Sequence, residues 1–308
     1  MTTDIQDTAP FKEYLLLLLQ AALWGGSFTL IKVSLESYPP MTIVTSSVFL
    51  GGLILTGLAM LRGDIFPTTL RRWIELMIQG ALQGALPFFL ITWAEKYVDS
   101  NVAGIINSTP PMFVFLITVF VLHSAKFDFY KFIGILAGMS GVALIAMAQS
   151  ESIGENSLYA VLAVLSASFS YACGAIFGRR FSDQSAFVTG GISLLLAALL
   201  IGPAALIFEA PLDLQPTMRA TFALIALALL ATALASLIFF RLIKTLGSLA
   251  TTSNAYLRAL FSVLLGITFL NEQLSTAIIS ATVLIFLGAF LVTGQFRNIF
   301  LKKLSEVR

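Results

Sequence analysis

Long apolar runs separated by short polar breaks recur along almost the whole of this 308-residue chain. Most runs are close to the roughly 20 residues that an α-helix needs to cross a bilayer at about 1.5 Å per residue. Charged residues make up 11% of the chain, against about 25% in average soluble proteins. The pattern predicts an all-α integral membrane protein with ten transmembrane helices, at residues 14–33, 41–61, 73–93, 102–122, 131–148, 158–178, 186–208, 220–240, 248–270 and 276–295.

The composition argues against several classes of function. A net charge of +2 is too small to indicate nucleic-acid binding. The single cysteine, Cys173, and the single histidine, His123, provide no intrachain disulfide and no multi-residue metal site, so we expect no cofactor. No aspartate falls in a predicted span, and no nucleotide-binding motif of the GxxxxGK(S/T) type occurs. An intramembrane enzyme would need a Ser/His pair, paired aspartates or metal ligands, so we predict that the protein is not an enzyme.

The lysines and arginines predict an orientation in the membrane. If the N-terminus is cytoplasmic, fourteen of them lie on the inner side, three (Lys32, Lys96 and Arg219) lie outside, and Arg258 lies inside a span. The positive-inside rule therefore predicts that both tails, 1–13 and 296–308, are cytoplasmic. The first residues lack the features of a cleaved secretory signal, so the first helix is predicted to be retained in the cell's inner (plasma) membrane.

The sequence also contains an internal repeat with a constant spacing of 147 residues. Three pairs of similar residues carry it: Lys32 with Arg179, Asn107 with Asn254, and Trp24 with Tyr171. Because each repeat holds five predicted helices, the two halves, 14–148 and 158–295, should insert with opposite orientations. Inverted repeats of this kind are typical of alternating-access transporters, with the binding site at the repeat interface near the midplane.

Several stretches in this order resemble the EamA family of the drug/metabolite transporter superfamily. They are ALWGGSFTLIK at 22–32, its counterpart SYACGAIFGRR at 170–180, a small-residue third helix ending at Trp93, NSTPP at 107–111, and NEQL at 271–274. The resemblance covers nearly the full length and implies ten helices, inverted halves and transport of small metabolites, often outward. The chain departs from the family pattern in its second helix, where Ser46 and Ser47 replace a usual arginine. In the ninth helix Arg258 stands where a proline is usual.

Arg258 is the strongest candidate for a solute contact, because it is predicted at the centre of the span 248–270. A charged side chain at that depth usually faces a cavity or a partner. Arg258 could therefore line the pathway and bind an anionic group, or it could be a structural arginine bonded to backbone carbonyls. Asn254 and Tyr256 share its helix, and Asn107 is the repeat counterpart of Asn254. The two amides could bond across the bundle or contact solute.

Three further residues complete the candidate site. Trp24 and Tyr171 are repeat-related aromatic residues inside their spans, and Gln83 is a polar group in the third helix. Each could equally be a packing residue. The glutamates Glu95 and Glu272 fall at span ends and are expected to be solvated loop charges.

These features predict a secondary transporter that moves amino acids or related carboxylate-bearing solutes outward by alternating access through a central cavity. Because the predicted spans hold no titratable carboxylate at mid-depth, facilitated diffusion or exchange is favoured. The alternatives are an intramembrane lipid-processing enzyme or a lipid flippase, since a structural scaffold would not explain Arg258. The expected partners are a small-molecule solute, the lipid bilayer and a second copy in a homodimer meeting at helices five and ten, with no nucleic acid.

Overall fold

The computed structural model describes residues 11–124, 126–153, 155–247, 251 and 254–292, apart from the side chains of 146, 148–153, 155, 256, 289 and 292. Within these ranges the chain is helical and contains no strand. The helices are α1 Phe11–Ser34, α2 Pro40–Leu61, α3 Leu70–Ala94, α4 Ser100–Val121, α5 Phe129–Ile153, α6 Glu155–Gly178, α7 Ala186–Phe208, α8 Met218–Thr245, α9 Asn254–Leu270 and α10 Thr276–Val292. The predicted all-helical membrane class is confirmed.

Seven of these helices, α1–α4 and α6–α8, are long and apolar enough by themselves to cross a bilayer. In α5, α9 and α10 the continuous apolar stretches are shorter: Phe129–Ile145, Leu257–Leu270 and Thr276–Gly288. Helix α9 falls short of its predicted span because residues 248–250, 252 and 253 lie outside the described ranges. The described residues therefore contain seven helices of full spanning length rather than ten.

Two helices change their winding at repeat-equivalent positions. Residues Ala81–Ala85 of α3 and Leu227–Leu234 of α8 form π-helical turns, and adding 147 to the first segment places it inside the second. A π-helical turn shifts the hydrogen-bonding pattern and leaves local carbonyls available to other partners. Both segments lie beside the cavities described below.

Polar contacts at the helix ends show which ends lie together. At one end, called the Lys32 end, Ser37 after α1 contacts Thr217 before α8 at 3.2 Å. At the other, called the Arg72 end, Arg72 of α3 binds Asp183 at 2.6 Å and the carbonyl of Arg180, just after α6. Helix α1 therefore runs towards the Lys32 end and its repeat counterpart α6 runs towards the Arg72 end. Equivalent helices of the two halves run in opposite directions, as the repeat predicts.

The helix pairs follow the same two-fold relation. Helix α2 packs on α7, α5 packs on α10, and the α1–α9 pair has its counterpart in α6–α4. In the α5–α10 pair, a Cβ atom on Gly141 would lie 2.7 Å from the carbonyl oxygen of Ala281. The small-residue faces of α5 and α10 therefore pack against each other inside one chain. A homodimer remains a prediction, and it would have to use other faces of these helices.

Candidate functional site

Helix α4 is interrupted in its middle, between Ile106 and Pro110. Pro110 and Pro111 have no N–H, so they cannot bond the carbonyls of Ile106 and Asn107, four residues earlier. Thr109 Oγ1 donates to the Ile106 carbonyl instead, at 3.0 Å. The Asn107 carbonyl is left for a donor from another helix.

Arg258 of α9 supplies that donor. Its Nη2 donates a short hydrogen bond to the Asn107 carbonyl oxygen. The guanidinium carbon lies 5.6 Å from the ring centre of Trp24 and 5.8 Å from that of Tyr171. The residue is only 5% exposed, and Nε has no hydrogen-bond partner among the described groups. Within the described part of the chain no carboxylate forms an ion pair with Arg258.

Trp24 and Tyr171 form an aromatic layer beside Arg258. Their ring centres are 6.5 Å apart and the ring planes differ by 29°. Trp24 Nε1 donates to the carbonyl of Ala231 in the π-helical turn of α8, at 2.9 Å. Phe239 packs against Trp24 and Phe88 against Tyr171, at 5.4 and 6.4 Å between ring centres. These contacts hold the two repeat-related rings in place around the cation.

The bundle encloses one cavity on each side of this layer. The cavity towards the Lys32 end has a volume of about 30 Å³ and is lined by Ile31, Val44, Ser47, Ile91, Thr92 and Thr232, among others. The cavity towards the Arg72 end has a volume of about 20 Å³ and is lined by Gln83, Pro110, Phe239, Thr251, Asn254 and Ala255. Trp24, Tyr171 and Arg258 line both cavities. The layer therefore separates two compartments along the axis of the bundle.

The two repeat-related amides each bond a polar side chain of another helix, one as an acceptor and the other as a donor. Ser168 of α6 donates to Asn107 Oδ1 at 3.0 Å, and Asn254 Nδ2 donates to Gln20 Oε1 of α1 at 2.7 Å. Each amide thus contacts the first helix of the opposite half. Asn254 Oδ1 has no partner among the described groups, and the same holds for Gln83 Oε1. Both oxygens belong to residues that line the cavity at the Arg72 end.

Six of the seven predicted site residues therefore come together around the two cavities. The seventh, Tyr256, has its side chain outside the described part of the structure. Sequence reasoning did not include Gln20, Ser168, Phe88 and Phe239. The repeat did not indicate Gln20 or Ser168, because adding 147 to Gln20 gives Ala167, one residue before Ser168. The two phenylalanines were indistinguishable from the other aromatic residues of the chain.

The Lys32 end is closed by buried polar groups. Lys32 Nζ donates to the carbonyls of Glu95 and Val98, at 2.7 and 2.8 Å. The Glu95 side chain is 0% exposed, so its expected place as a solvated loop charge is wrong. Packing of the α3–α4 turn against α1 buries it, which the position of Glu95 in the sequence does not reveal.

Glu272 also differs from a freely solvated charge. Its two carboxylate oxygens accept from the backbone N–H groups of Ser100 and Asn101, at 2.8 and 3.0 Å. These N–H groups begin α4, where the helix dipole favours negative charge. Glu272 therefore caps a helix of the opposite half, and the NEQL stretch has a structural reason to carry an acid.

At the Arg72 end an ion pair links the first helix to the eighth. Arg241 Nη2 lies 2.6 Å from a carboxylate oxygen of Glu13, which is itself buried. Thr245 Oγ1 donates to the second oxygen of Glu13 at 3.2 Å. The contact ties α1 to α8 below the cavity lined by Asn254. Polar contacts between described helices are thus present at both ends of the internal space.

Together these features define a class of protein: a multi-pass helical membrane protein with inverted halves and a buried cationic site between two cavities, the architecture of membrane transporters. The chain belongs to the EamA-like transporter family, whose model matches residues 11–147 and again residues 158–294. It is a membrane transporter of that family, and the predicted family is confirmed.

Individual relatives agree with this assignment. The uncharacterized inner membrane transporter YedA of Escherichia coli (strain K12) is 28% identical over 282 residues, which cover 89% of this chain and 90% of YedA. The uncharacterized transporter YoaV of Bacillus subtilis (strain 168) is 24% identical, over 89% of this chain and 94% of YoaV. An uncharacterized transporter of Archaeoglobus fulgidus is 23% identical, over 92% and 98% of the two chains.

A crystal structure of another protein has the same fold. It superposes with a TM-score of 0.68 and 20% sequence identity, over 94% of this chain and 98% of that one. At this identity the likeness concerns the fold alone. It agrees with the helical arrangement described above over almost the whole chain.

Proposed function

We propose that this protein is a secondary transporter that exports small carboxylate-bearing solutes, amino acids above all, by alternating access. Arg258 binds the solute carboxylate at the layer between the two cavities. The observation that carries the proposal is a buried guanidinium with no carboxylate partner among the described residues. The proposal includes ten membrane crossings, counting α5, α9 and α10, and both termini in the cytoplasm.

An unpaired buried cation is costly. An arginine at the centre of a membrane helix costs at least about 2.5–3.5 kcal/mol on insertion scales. The hydrogen bond to the Asn107 carbonyl and the two aromatic faces offset part of this cost. They leave the net charge uncompensated and Nε without a partner in the described structure. A solute carboxylate would supply both the counter-charge and an acceptor for the guanidinium, which binds carboxylates through two parallel N–H groups.

The cavity at the Arg72 end suits the second charge of an amino acid. Asn254 Oδ1 and Gln83 Oε1 are acceptors that lack a donor among the described groups. An ammonium group is a donor only, so it would satisfy these oxygens while the carboxylate binds Arg258. The other cavity is lined mainly by apolar side chains such as Phe28, Ile31 and Ile91. Zwitterionic solutes with a partly apolar side chain therefore match the chemistry of both compartments.

The distribution of positive charge supports an orientation with the Arg72 end in the cytoplasm. Most of the described arginines lie at that end, among them Arg62, Arg71, Arg72, Arg180 and Arg241. The Lys32 end carries Lys32, Lys96 and Arg219. Cytoplasmic loops carry an excess of lysine and arginine. Solute would then enter at the Arg72 end, bind at Arg258, and leave at the Lys32 end.

A transport assay tests the proposal. The purified protein is reconstituted into liposomes, and flux is measured for a panel of amino acids, organic acids and the matching carboxamides. We expect flux for at least one carboxylate and none for its carboxamide, with transport lost in Arg258→Leu. Arg219→Leu is the matched control, because that arginine is a solvent-exposed partner of Glu36 at 3.3 Å. Equal flux of a carboxylate and its amide would contradict the proposal.

A further inference from the structure

Glu95 is a fully buried glutamate one helical turn beyond the cavity at the Lys32 end. It directly follows the last residue of α3 and continues the helical stripe formed by Phe88, Ile91 and Thr92, three residues that line the cavity at the Lys32 end. Its side chain is 0% exposed, and neither carboxyl oxygen has a hydrogen-bond partner among the described groups. An acid therefore stands one turn beyond the cavity wall with no hydrogen-bond donor to its carboxyl group among the described residues.

The charged groups around Glu95 come from three segments. Lys32 of α1 binds the backbone carbonyl of Glu95 but forms no ion pair with its carboxylate in the described chain. Glu272 lies in the turn before α10, and its carboxylate accepts hydrogen bonds from backbone N–H groups at the start of α4. Lys96 and Asp99 lie on the same turn as Glu95. One cation and one further acid thus face the group from the neighbouring elements.

Burial decides the protonation state of this acid. Transfer of an ionised carboxylate to a dry site without hydrogen bonds is strongly unfavourable, and the group usually takes up a proton instead. Burial raises the pKa of Glu95 well above its usual range, Lys32 opposes that rise, and Glu272 adds to it. Burial therefore favours the neutral form of Glu95 while the Lys32 end keeps this arrangement. Once that end opens, water and Lys32 can stabilise the ionised form.

We propose that Glu95 is a proton-binding residue of the transport pathway, which takes up one proton when the Lys32 end closes and releases it when that end opens. In closing, a carboxylate oxygen gains an O–H bond to a proton taken from water on the outer side. In opening, that bond breaks, the proton returns to water, and the carboxylate pairs with Lys32. The proposal rests on the assignment of the internal cavities as the solute pathway, but its test needs no solute.

Thiol labelling measures the opening directly. Thr92 lines the cavity one turn below Glu95 and is almost fully buried, so Thr92→Cys in a Cys173→Ala background reports access from the Lys32 end. The reagent is a membrane-impermeant maleimide, and rates are normalised to Ser37→Cys on the surface turn, which removes the effect of pH on the thiol itself. We expect the normalised rate to rise by about tenfold or more between pH 5 and pH 8, because each pH unit above the pKa favours the ionised acid tenfold.

Three variants make the result decisive. Glu95→Gln imitates the protonated acid, so its normalised labelling should stay low at every pH. Glu36→Gln removes a solvent-exposed acid at the same end and should behave like the parent. Lys32→Gln removes the counter-charge, so the midpoint should move to higher pH. A pH-independent parent, an unchanged pH response in Glu95→Gln, or a response to Na⁺ at fixed pH instead of to pH would overturn the proposal.

Thermal stability gives a second measurement on the same proteins. A group whose pKa is raised by folding stabilises the folded protein at a pH below the pKa it has in the unfolded chain. This stabilisation is lost as the pH rises through the pKa that the group has in the folded protein. The Tm of the parent should therefore fall relative to Glu95→Gln as pH rises from about 4.3, the ordinary glutamate pKa. Parallel Tm profiles would overturn the proposal. A failed flux assay alongside the expected labelling would leave proton binding established and count only against the proposed solute.

Discussion

Replacement of Arg258 separates solute binding from a purely structural role. Arg258→Leu removes the hydrogen bond to the Asn107 carbonyl and the contacts with Trp24 and Tyr171. A hydrogen bond to a charged group is worth about 1.5–3 kcal/mol, and each cation–π contact of a buried cation up to about 2 kcal/mol. The same change relieves about 2.5–3.5 kcal/mol of the cost of burying the charge. The relief offsets only part of the losses, so we expect the free energy of unfolding to fall by no more than about 4 kcal/mol.

Flux per folded protein should fall in addition to any change in stability. If Arg258 holds the solute carboxylate, its loss removes at least one charged hydrogen bond, worth about 1.5–3 kcal/mol, or a factor of about ten to about one hundred in flux. Arg258→Lys keeps the charge but loses the planar pair of donors, so flux should fall by less. Tm and flux are measured on the same purified variants in the same lipid.

Two results would refute this reasoning in different ways. An Arg258→Leu protein that keeps its Tm and transports at the parental rate would exclude Arg258 from the binding site. The Tm of Arg258→Leu could instead fall sharply while the remaining folded fraction transports normally. That result would show that the arginine only donates to the Asn107 carbonyl and does not bind solute.

The remaining predictions concern helix packing and topology. Gly25→Ala would place a Cβ atom 2.7 Å from the Arg258 carbonyl oxygen, so we expect a loss of about 1–3 kcal/mol in stability and reduced flux. Gly57→Ala is the control, because no atom lies within 4 Å of the added Cβ. Its stability should rise by up to about 1 kcal/mol. Equal Tm values for the two variants would contradict the close α1–α9 contact. The topology is tested in whole cells with a Cys173→Ala background and an impermeant thiol reagent. The reagent should label Leu212→Cys but not Ile65→Cys, although the native residues are 90% and 87% exposed. Labelling of Ile65→Cys alone would show that the orientation in the membrane is the reverse.

The sequence predicted much of the fold because the bilayer imposes a simple constraint on helix length and polarity. The 147-residue register also related Trp24 to Tyr171 and Asn107 to Asn254. In the structure the two rings lie 6.5 Å apart and each amide bonds a side chain of the opposite half. The register holds one further relation: it pairs Pro111 with Arg258. The missing N–H of Pro111 frees the carbonyl that Arg258 binds, but only the crossing of α4 and α9 reveals that the two positions meet.

Other features could not be read from the sequence. Glu95 lies next to Lys96 in a short turn, a context typical of solvated charges, and its burial results from packing by distant segments. The π-helical turns in α3 and α8 have no residue signature of their own, since both are runs of small and apolar residues. Tertiary packing decides such cases, and local sequence does not.

A binding cycle with two ligands and two proteins tests the central claim most directly. The dissociation constants of a transported carboxylate and of its carboxamide are measured by calorimetry for the parent and for Arg258→Leu. If Arg258 binds the carboxylate, the parent should prefer the acid over the amide by at least about tenfold, equivalent to about 1.4 kcal/mol. That preference should disappear in Arg258→Leu. The same preference in both proteins would contradict the assignment of Arg258 as the carboxylate site.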